Sequence, residues 1–140
     1  NNATSSGGAI SNNDISQIEE TAINQNTANR GGGTSNEGKM TIKSSVLKQN
    51  RAENYYGGAI DNGEELTVID CKLTGNFAEC DGGAIHNNCA DLSLIGSSFS
   101  TNRANERGDA IFNYRERSFK VENCDLDFWD IVKYNEYDGD

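Results

Sequence analysis

The chain has 140 residues, 34% of them hydrophobic, and a formal net charge of −10. So little apolar material excludes a thick globular core and suits a thin, repeated one, while the charge sets the chain against nucleic-acid phosphates and anionic membrane surfaces. No apolar run approaches the ~20 residues that span a bilayer, and the opening Asn1, Asn2 and Ala3 begin nothing like a signal peptide, which places any export signal outside this sequence.

Along the chain one hexapeptide recurs: residues 7–12 (Gly-Gly-Ala-Ile-Ser-Asn), 31–36 (Gly-Gly-Gly-Thr-Ser-Asn), 57–62 (Gly-Gly-Ala-Ile-Asp-Asn), 82–87 (Gly-Gly-Ala-Ile-His-Asn) and 108–113 (Gly-Asp-Ala-Ile-Phe-Asn), with first residues 24, 26, 25 and 26 apart. A period near 25 marks a repeat architecture. The 15 glycines and 19 asparagines, with no proline, point to tight turns and side-chain ladders. Between the copies runs a second unit. Its clearest form is Leu66, Val68, Cys71, Leu73, Asn76 and Ala78, repeated as Met40, Ile42, Ser45, Leu47, Asn50 and Ala52 and as Leu92, Leu94, Ser97, Phe99, Asn102 and Ala104. The first coil keeps Ile18, Ile23, Asn26 and Ala28, and the last keeps Phe119, Val121, Cys124 and Leu126. Alternation of period two bounded by Gly and Asn predicts short strands, and helical spacing appears nowhere with comparable strength.

Two or three strands repeated every ~25 residues, each stacked on its own equivalent, make an all-β, single-stranded parallel β-helix of about five coils spanning residues 1–126. The residue after the Ile is Ser11, Ser35, Asp61, His86 or Phe112, a set with no common chemistry, and is assigned to solvent. Its neighbours, the Ile10, Ile60, Ile85 and Ile111 column (broken by Thr34) and the asparagines, are then inward. A break in alternation between Val68 and Cys71 predicts a bend. Stacked ~4.8 Å apart, Asn12, Asn36, Asn62, Asn87 and Asn113 form one amide ladder, and Asn26, Asn50, Asn76 and Asn102 a second. Each amide donates to one coil and accepts from the other, satisfying buried groups that would otherwise cost ~1–3 kcal/mol apiece.

The opening residues match the corner of a later coil, as in a segment of a longer array. After Leu126 the pattern stops: the ladder position falls at Trp129, and Phe128, Ile131, Val132 and Tyr134 have no repeat partner, so residues 127–140 are expected to be an atypical capping segment or tail.

The Gly-Gly-Ala-Ile of residues 82–85 with Phe99-Ser-Thr-Asn102 resembles the repeats of chlamydial polymorphic outer membrane proteins and of adhesin-like surface proteins of methanogenic archaea. The likeness covers residues 1 to about 126, with Ile23, Leu47 and Leu73 standing where Phe99 carries the literal phenylalanine. It implies a right-handed parallel β-helix on a cell surface with a role in adhesion, and no catalytic residue within the repeat.

The enzyme-like features are weak beside this. In the column Ser35, Asp61, His86 the acid stands in the middle and Ser lies two rungs, ~9.6 Å, from His, whereas a hydrolytic triad needs His between the other two. Asp61, Asp70, Asp81 and Lys72 belong to different columns. Cys71 and Cys124 share an inward column with Ser97 between them, too far apart for a disulfide, and read as small buried thiols; whether Cys80 and Cys89 pair is open. His86 with Cys89 is a thin cluster for zinc. The tail from Asn135 to Asp138, Gly139 and Asp140 has calcium-type oxygens without the closing glutamate. Arg51, Phe77 and Arg103 share a corner column suited to cation–π stacking. No catalytic residue, metal or cofactor is therefore expected. The reading is a non-catalytic adhesin-like or stalk protein, extracellular or on the cell surface, whose partner is a glycan or protein of a host or neighbouring cell. The alternative is a polysaccharide lyase or glycoside hydrolase of the pectate-lyase-like β-helix class.

Overall fold

The computed structural model describes residues 1–115, 117–126 and 131–134. The first coil carries β1 (Ile10–Asn12), β2 (Ile15–Glu19), β3 (Ala22–Asn24) and β4 (Thr27–Ala28), and the second β5 (Thr34–Asn36), β6 (Lys39–Lys43), β7 (Val46–Lys48) and β8 (Arg51–Ala52). The third carries β9 (Ile60–Asn62), β10 (Glu65–Ile69), β11 (Lys72–Thr74) and β12 (Phe77–Ala78), and the fourth β13 (Ile85–Asn88), β14 (Asp91–Ile95), β15 (Ser98–Ser100) and β16 (Arg103–Ala104). Then come β17 (Ile111–Tyr114), β18 (Ser118–Glu122) and β19 (Ile131–Tyr134). Each strand pairs in parallel with its equivalent, giving four sheets: β1-β5-β9-β13-β17-β19, β2-β6-β10-β14-β18, β3-β7-β11-β15 and β4-β8-β12-β16. The chain is a parallel β-solenoid, with no helix among its described residues.

Four strands per coil exceed the two or three read from the pattern, because the extra corners carry no Gly-Gly signal. The bend expected between Val68 and Cys71 is at Asp70, with φ at +50°, and recurs at Glu20, Ser44 and Gly96. A second left-handed corner stands at Gln25, Gln49, Gly75 and Thr101. Non-glycine residues in that region are strained by ~1–3 kcal/mol. Here the same corners donate to the next coil, Asp70 N to Ile95 O at 2.9 Å and Gln49 N to Thr74 O at 3.0 Å. The third corner needs glycine outright. Gly57 has φ +70°, and a methyl group on Gly58 would lie 2.1 Å from the Gly83 carbonyl oxygen of the next coil.

The inward columns are mainly apolar through the middle coils, with Met40, Ile42, Leu47, Ile60, Leu66, Val68, Leu73, Ile85, Leu92 and Leu94 all buried and Ser45 and Ser97 the polar members of the Cys71 column. Around this thin core run the amide ladders. Asn12 donates through Nδ2 to Asn36 Oδ1 at 2.9 Å, Asn36 to Asn62 at 2.9 Å, Asn62 to Asn87 at 2.7 Å and Asn87 to Asn113 at 2.9 Å. In the second ladder Asn26 to Asn50, Asn50 to Asn76 and Asn76 to Asn102 are each 3.0 Å. The oxygens of Asn50, Asn76 and Asn102 also accept the backbone N–H of the preceding coil, and the Nδ2 groups of these three reach back to a carbonyl, as Asn76 does to Leu47 at 3.0 Å. Thr34 is the misfit: it is buried between Ile10 and Ile60, and its Oγ1 has no hydrogen-bond partner among the described residues.

The far end differs from the sequence reading. Ile131–Tyr134 does have a partner, pairing in register with β17, Ile131 on Ile111 and Lys133 on Asn113. It arrives 20 residues after Ile111 rather than after a full period, which is why no repeat template finds it. Val121 is 40% exposed and Cys124 only half-buried, so Cys124 is not the buried thiol expected. The Trp129 ladder position, the remainder of the capping segment and the calcium-type tail from Asn135 lie outside the described residues.

Asn76→Ala strands several buried partners at once and is expected to destabilise the fold by about 3 kcal/mol, against a negligible change for the exposed Asn88→Ala; equal urea midpoints would remove the ladder's structural role. Thr34→Val, which keeps the volume and deletes the unpaired hydroxyl, is expected to raise stability by ~1 kcal/mol in the same measurement.

Candidate functional site

The residue before each Gly-Gly turn is Ser6, Arg30, Tyr56, Asp81 or Arg107. These residues are a column of their own: Gly31 N bonds to Tyr56 O at 2.9 Å, Gly57 N to Asp81 O at 3.0 Å, and Ser6 and Arg30, then Asp81 and Arg107, form isolated parallel bridges. The glycine corner turns the backbone sharply, so this column faces across a concave angle to the outer face of the first sheet. Consequently the column assigned to solvent is largely covered. Ser35 and His86 are each 5% exposed and Phe112 only 1%. A third column, Asn88 in register with Tyr114, continues the same face.

These columns enclose a cleft of about 310 Å³ lined by Tyr56, Asp81, His86, Asn88, Arg107, Phe112 and Tyr114. Its floor is a row of rings. Tyr56 and His86 stack with centroids 4.4 Å apart, His86 and Phe112 lie 5.7 Å apart within 8° of parallel, and Phe112 and Tyr114 are 6.5 Å apart. His86 Nδ1 is 2.9 Å from Asp61 Oδ1 one coil earlier, a bond that fixes the ring's orientation and leaves Nε2 as the nitrogen for other contacts. Arg107 grips the buried Asp81 through two bonds of 3.2 and 3.1 Å and lies 4.6 Å over the Phe112 ring. The Tyr56 hydroxyl titrates above its usual range, through burial first and then the fields of Cys80, Asp81 and Glu106, with Arg30 opposing.

Of the residues singled out from sequence, Ser35, Asp61 and His86 do stack in that order, with Asp61 between the other two. Asp61 and Asp81 belong to the cleft region, whereas Asp70 stands exposed at a corner and Lys72 exposed at the start of β11, so that acid–base group does not assemble. All four cysteines carry free thiols. Cys89 is exposed rather than beside a metal site, and no cluster of three His, Cys, Asp or Glu groups able to hold a metal occurs among the described residues. The Arg51 guanidinium lies 4.3 Å over Phe77, as the shared corner column suggests. The sequence reading missed Tyr56, Arg107, Asn88 and Tyr114. The signal available for the first two was their place before a glycine pair, where only the turn geometry reveals that they overhang the neighbouring strand.

No protein-family model, no curated protein and no solved structure matches the chain.

The thiols offer a check on this arrangement. Cys71 is buried and its pKa is raised, chiefly by that burial, so thiolate and access are both scarce. In native protein its alkylation is expected to be at least ~100-fold slower than that of exposed Cys89, since it requires local opening; mass-resolved labelling that finds the two equally fast would contradict the register.

Proposed function

We propose that this chain is a non-catalytic, adhesin-like or stalk module of a cell surface, spacing or binding through the outward columns of its solenoid, with a glycan or protein of a host or neighbouring cell as its partner. The observation that carries this reading is the division between faces. Inward columns repeat Ile, Leu and Asn from coil to coil, while the outward residue of the third sheet changes from Asn24 to Lys48 to Thr74 to Ser100 in unbroken register. Such a scaffold holds recognition groups ~4.8 Å apart on a rigid frame, and contacts spread over several coils reinforce one another through effective concentration.

A second reading, a polysaccharide lyase or glycoside hydrolase, draws on the 2.9 Å bond between Asp61 and His86, a pair of the kind that positions a general base. Against it stands the order of the column: Ser35 neighbours Asp61 on the side away from His86.

Antibodies raised against residues 1–126 are expected to stain intact cells of the source organism, with the signal removed by external protease. Staining seen only after permeabilisation overturns the surface reading. A reducing-end assay on neutral and acidic polysaccharides is expected to show no turnover. Turnover lost on His86→Ala, by the ~10²–10⁴-fold that a positioned acid or base contributes, would replace the adhesin reading with the enzyme.

A further inference from the structure

We infer that the outer face of the third sheet, with the corner that joins it to the fourth, binds a single strand of an acidic polysaccharide of the uronic-acid type, an inference that rests on the binding role proposed above. The net charge of −10 is spread unevenly. Residues 22–28, 46–52, 72–78 and 98–104 stack on one another coil by coil and contain none of the chain's 22 acidic residues, yet they present Lys48, Arg51, Lys72 and Arg103, all exposed. Lys48 stands beside Thr74, and Arg51 and Arg103 flank Phe77 on either side. Rungs are ~4.8 Å apart, so the four cations follow the solenoid axis over three consecutive coils.

These cations are uncommitted. Lys43, Arg107, Arg117 and Lys120 each have a carboxylate within 4.0 Å, whereas none of the four in the strip forms an ion pair among the described residues. Arg51 lies 4.3 Å over the Phe77 ring, a contact that orders the guanidinium without using its N–H groups. Hydroxyls and amides fill the space between: Gln25 donates to Gln49 at 3.2 Å, and the Thr74 and Ser100 hydroxyls bond at 2.9 Å. Part of the polar surface is therefore ordered before a ligand's own hydroxyls arrive.

The margins of the strip select among polyanions. Glu20 and Asp70 stand at the corner before the third sheet, exposed Glu53 and Glu79 follow the fourth, and Asp125 lies over Ser98 on the next rung. A membrane or a nucleic-acid duplex is broad and would press phosphates against those carboxylates. A duplex also carries one charge per ~1.7 Å of axis, denser than one or two cations per ~4.8 Å rung can neutralise. A single polysaccharide strand keeps within the strip, its carboxylates are spaced by whole sugars, and its hydroxyls meet the polar row.

The test is amide chemical-shift mapping and titration calorimetry on the purified chain at ~0.01 M ionic strength, where the Debye length is ~30 Å. The probes are hexasaccharides of galacturonate, guluronate and glucuronate, with neutral hexaglucose, single-stranded oligothymidylate and phosphatidylserine vesicles beside them. At least one carboxylated hexasaccharide is expected to bind with Kd near ~1 mM, with shifts centred on residues 48, 51, 72 and 103, and to weaken as ionic strength rises to ~0.15 M. Lys72→Gln and Arg103→Gln are each expected to weaken it about threefold, and Lys48→Gln with Lys72→Gln about tenfold. Lys39→Gln, an equal loss of charge at an exposed site on the second sheet, leaves it unchanged. Should Arg103→Gln lower the urea midpoint, Lys72→Gln, whose side chain packs on nothing, decides. The inference is overturned by no binding from any carboxylated hexasaccharide, by a shift map centred elsewhere, by an equal loss in Lys39→Gln, by equal binding of hexaglucose, or by tighter binding of oligothymidylate or the vesicles. Surface staining plays no part in this measurement, so its failure and the failure of the surface reading are told apart.

Discussion

The interior asparagines of this solenoid are satisfied chiefly by the coil before or after them, because one thin coil offers a buried amide too few partners of its own. That axial constraint explains why the asparagines recur. A single side-chain amide accepts at Oδ1 from both the backbone N–H and the Nδ2 of the preceding coil, as Asn76 does from Asn50 at 2.9 and 3.0 Å, while its own Nδ2 serves Asn102 and the Leu47 carbonyl. Neither aspartate nor serine has both a donor and an acceptor of that geometry. Once two such ladders are in register, a shift of one residue would break every rung, so the ladders also hold the coils to one alignment.

The same alignment governs what the surface can be. Strand pairing without slip places each outward residue directly over its predecessor, so chemistry is arranged in columns, and neighbouring columns in adjacent strands run side by side. Where the backbone makes its glycine corner, two columns meet at a concave angle. The aromatic and ionic groups of residues 56, 81, 86, 107 and 112 converge there although they are spread over more than 50 residues of sequence. Rigidity comes from the ladders, and the cleft inherits it: Asp81 and His86 are held by partners one coil away, not by flexible loops.

Substitution is tolerated unevenly for the same reason. A misfit inside is absorbed locally, as at Thr34, where the chain accepts an unpaired buried hydroxyl between two isoleucines. At Gly8, Gly58 and Gly83, the second glycines of their corners, no side chain fits, because the next coil's carbonyl occupies the place of the Cβ, and at Gly32 the Arg51 backbone does the same. At the last copy, Asp109 stands there instead, and its carboxylate accepts from Ala104 N at 3.0 Å.

The period near 25, the alternation of two and the fixed spacing of asparagines were enough, read as a linear pattern, to determine a parallel β-solenoid, its inward columns and the membership of both ladders, since each of these is a relation between equivalent positions in successive repeats. The strand at Ile131–Tyr134 was not legible, because it joins the first sheet out of period. Nor was the cleft. Assigning Asp61, His86 and Phe112 to solvent follows from strand alternation, which says which face a residue is on but not what lies over that face. Only the tertiary structure decides that, because the left-handed glycine corner folds the column of Tyr56, Asp81 and Arg107 across the neighbouring strand, and a turn angle leaves no trace in hydrophobic periodicity.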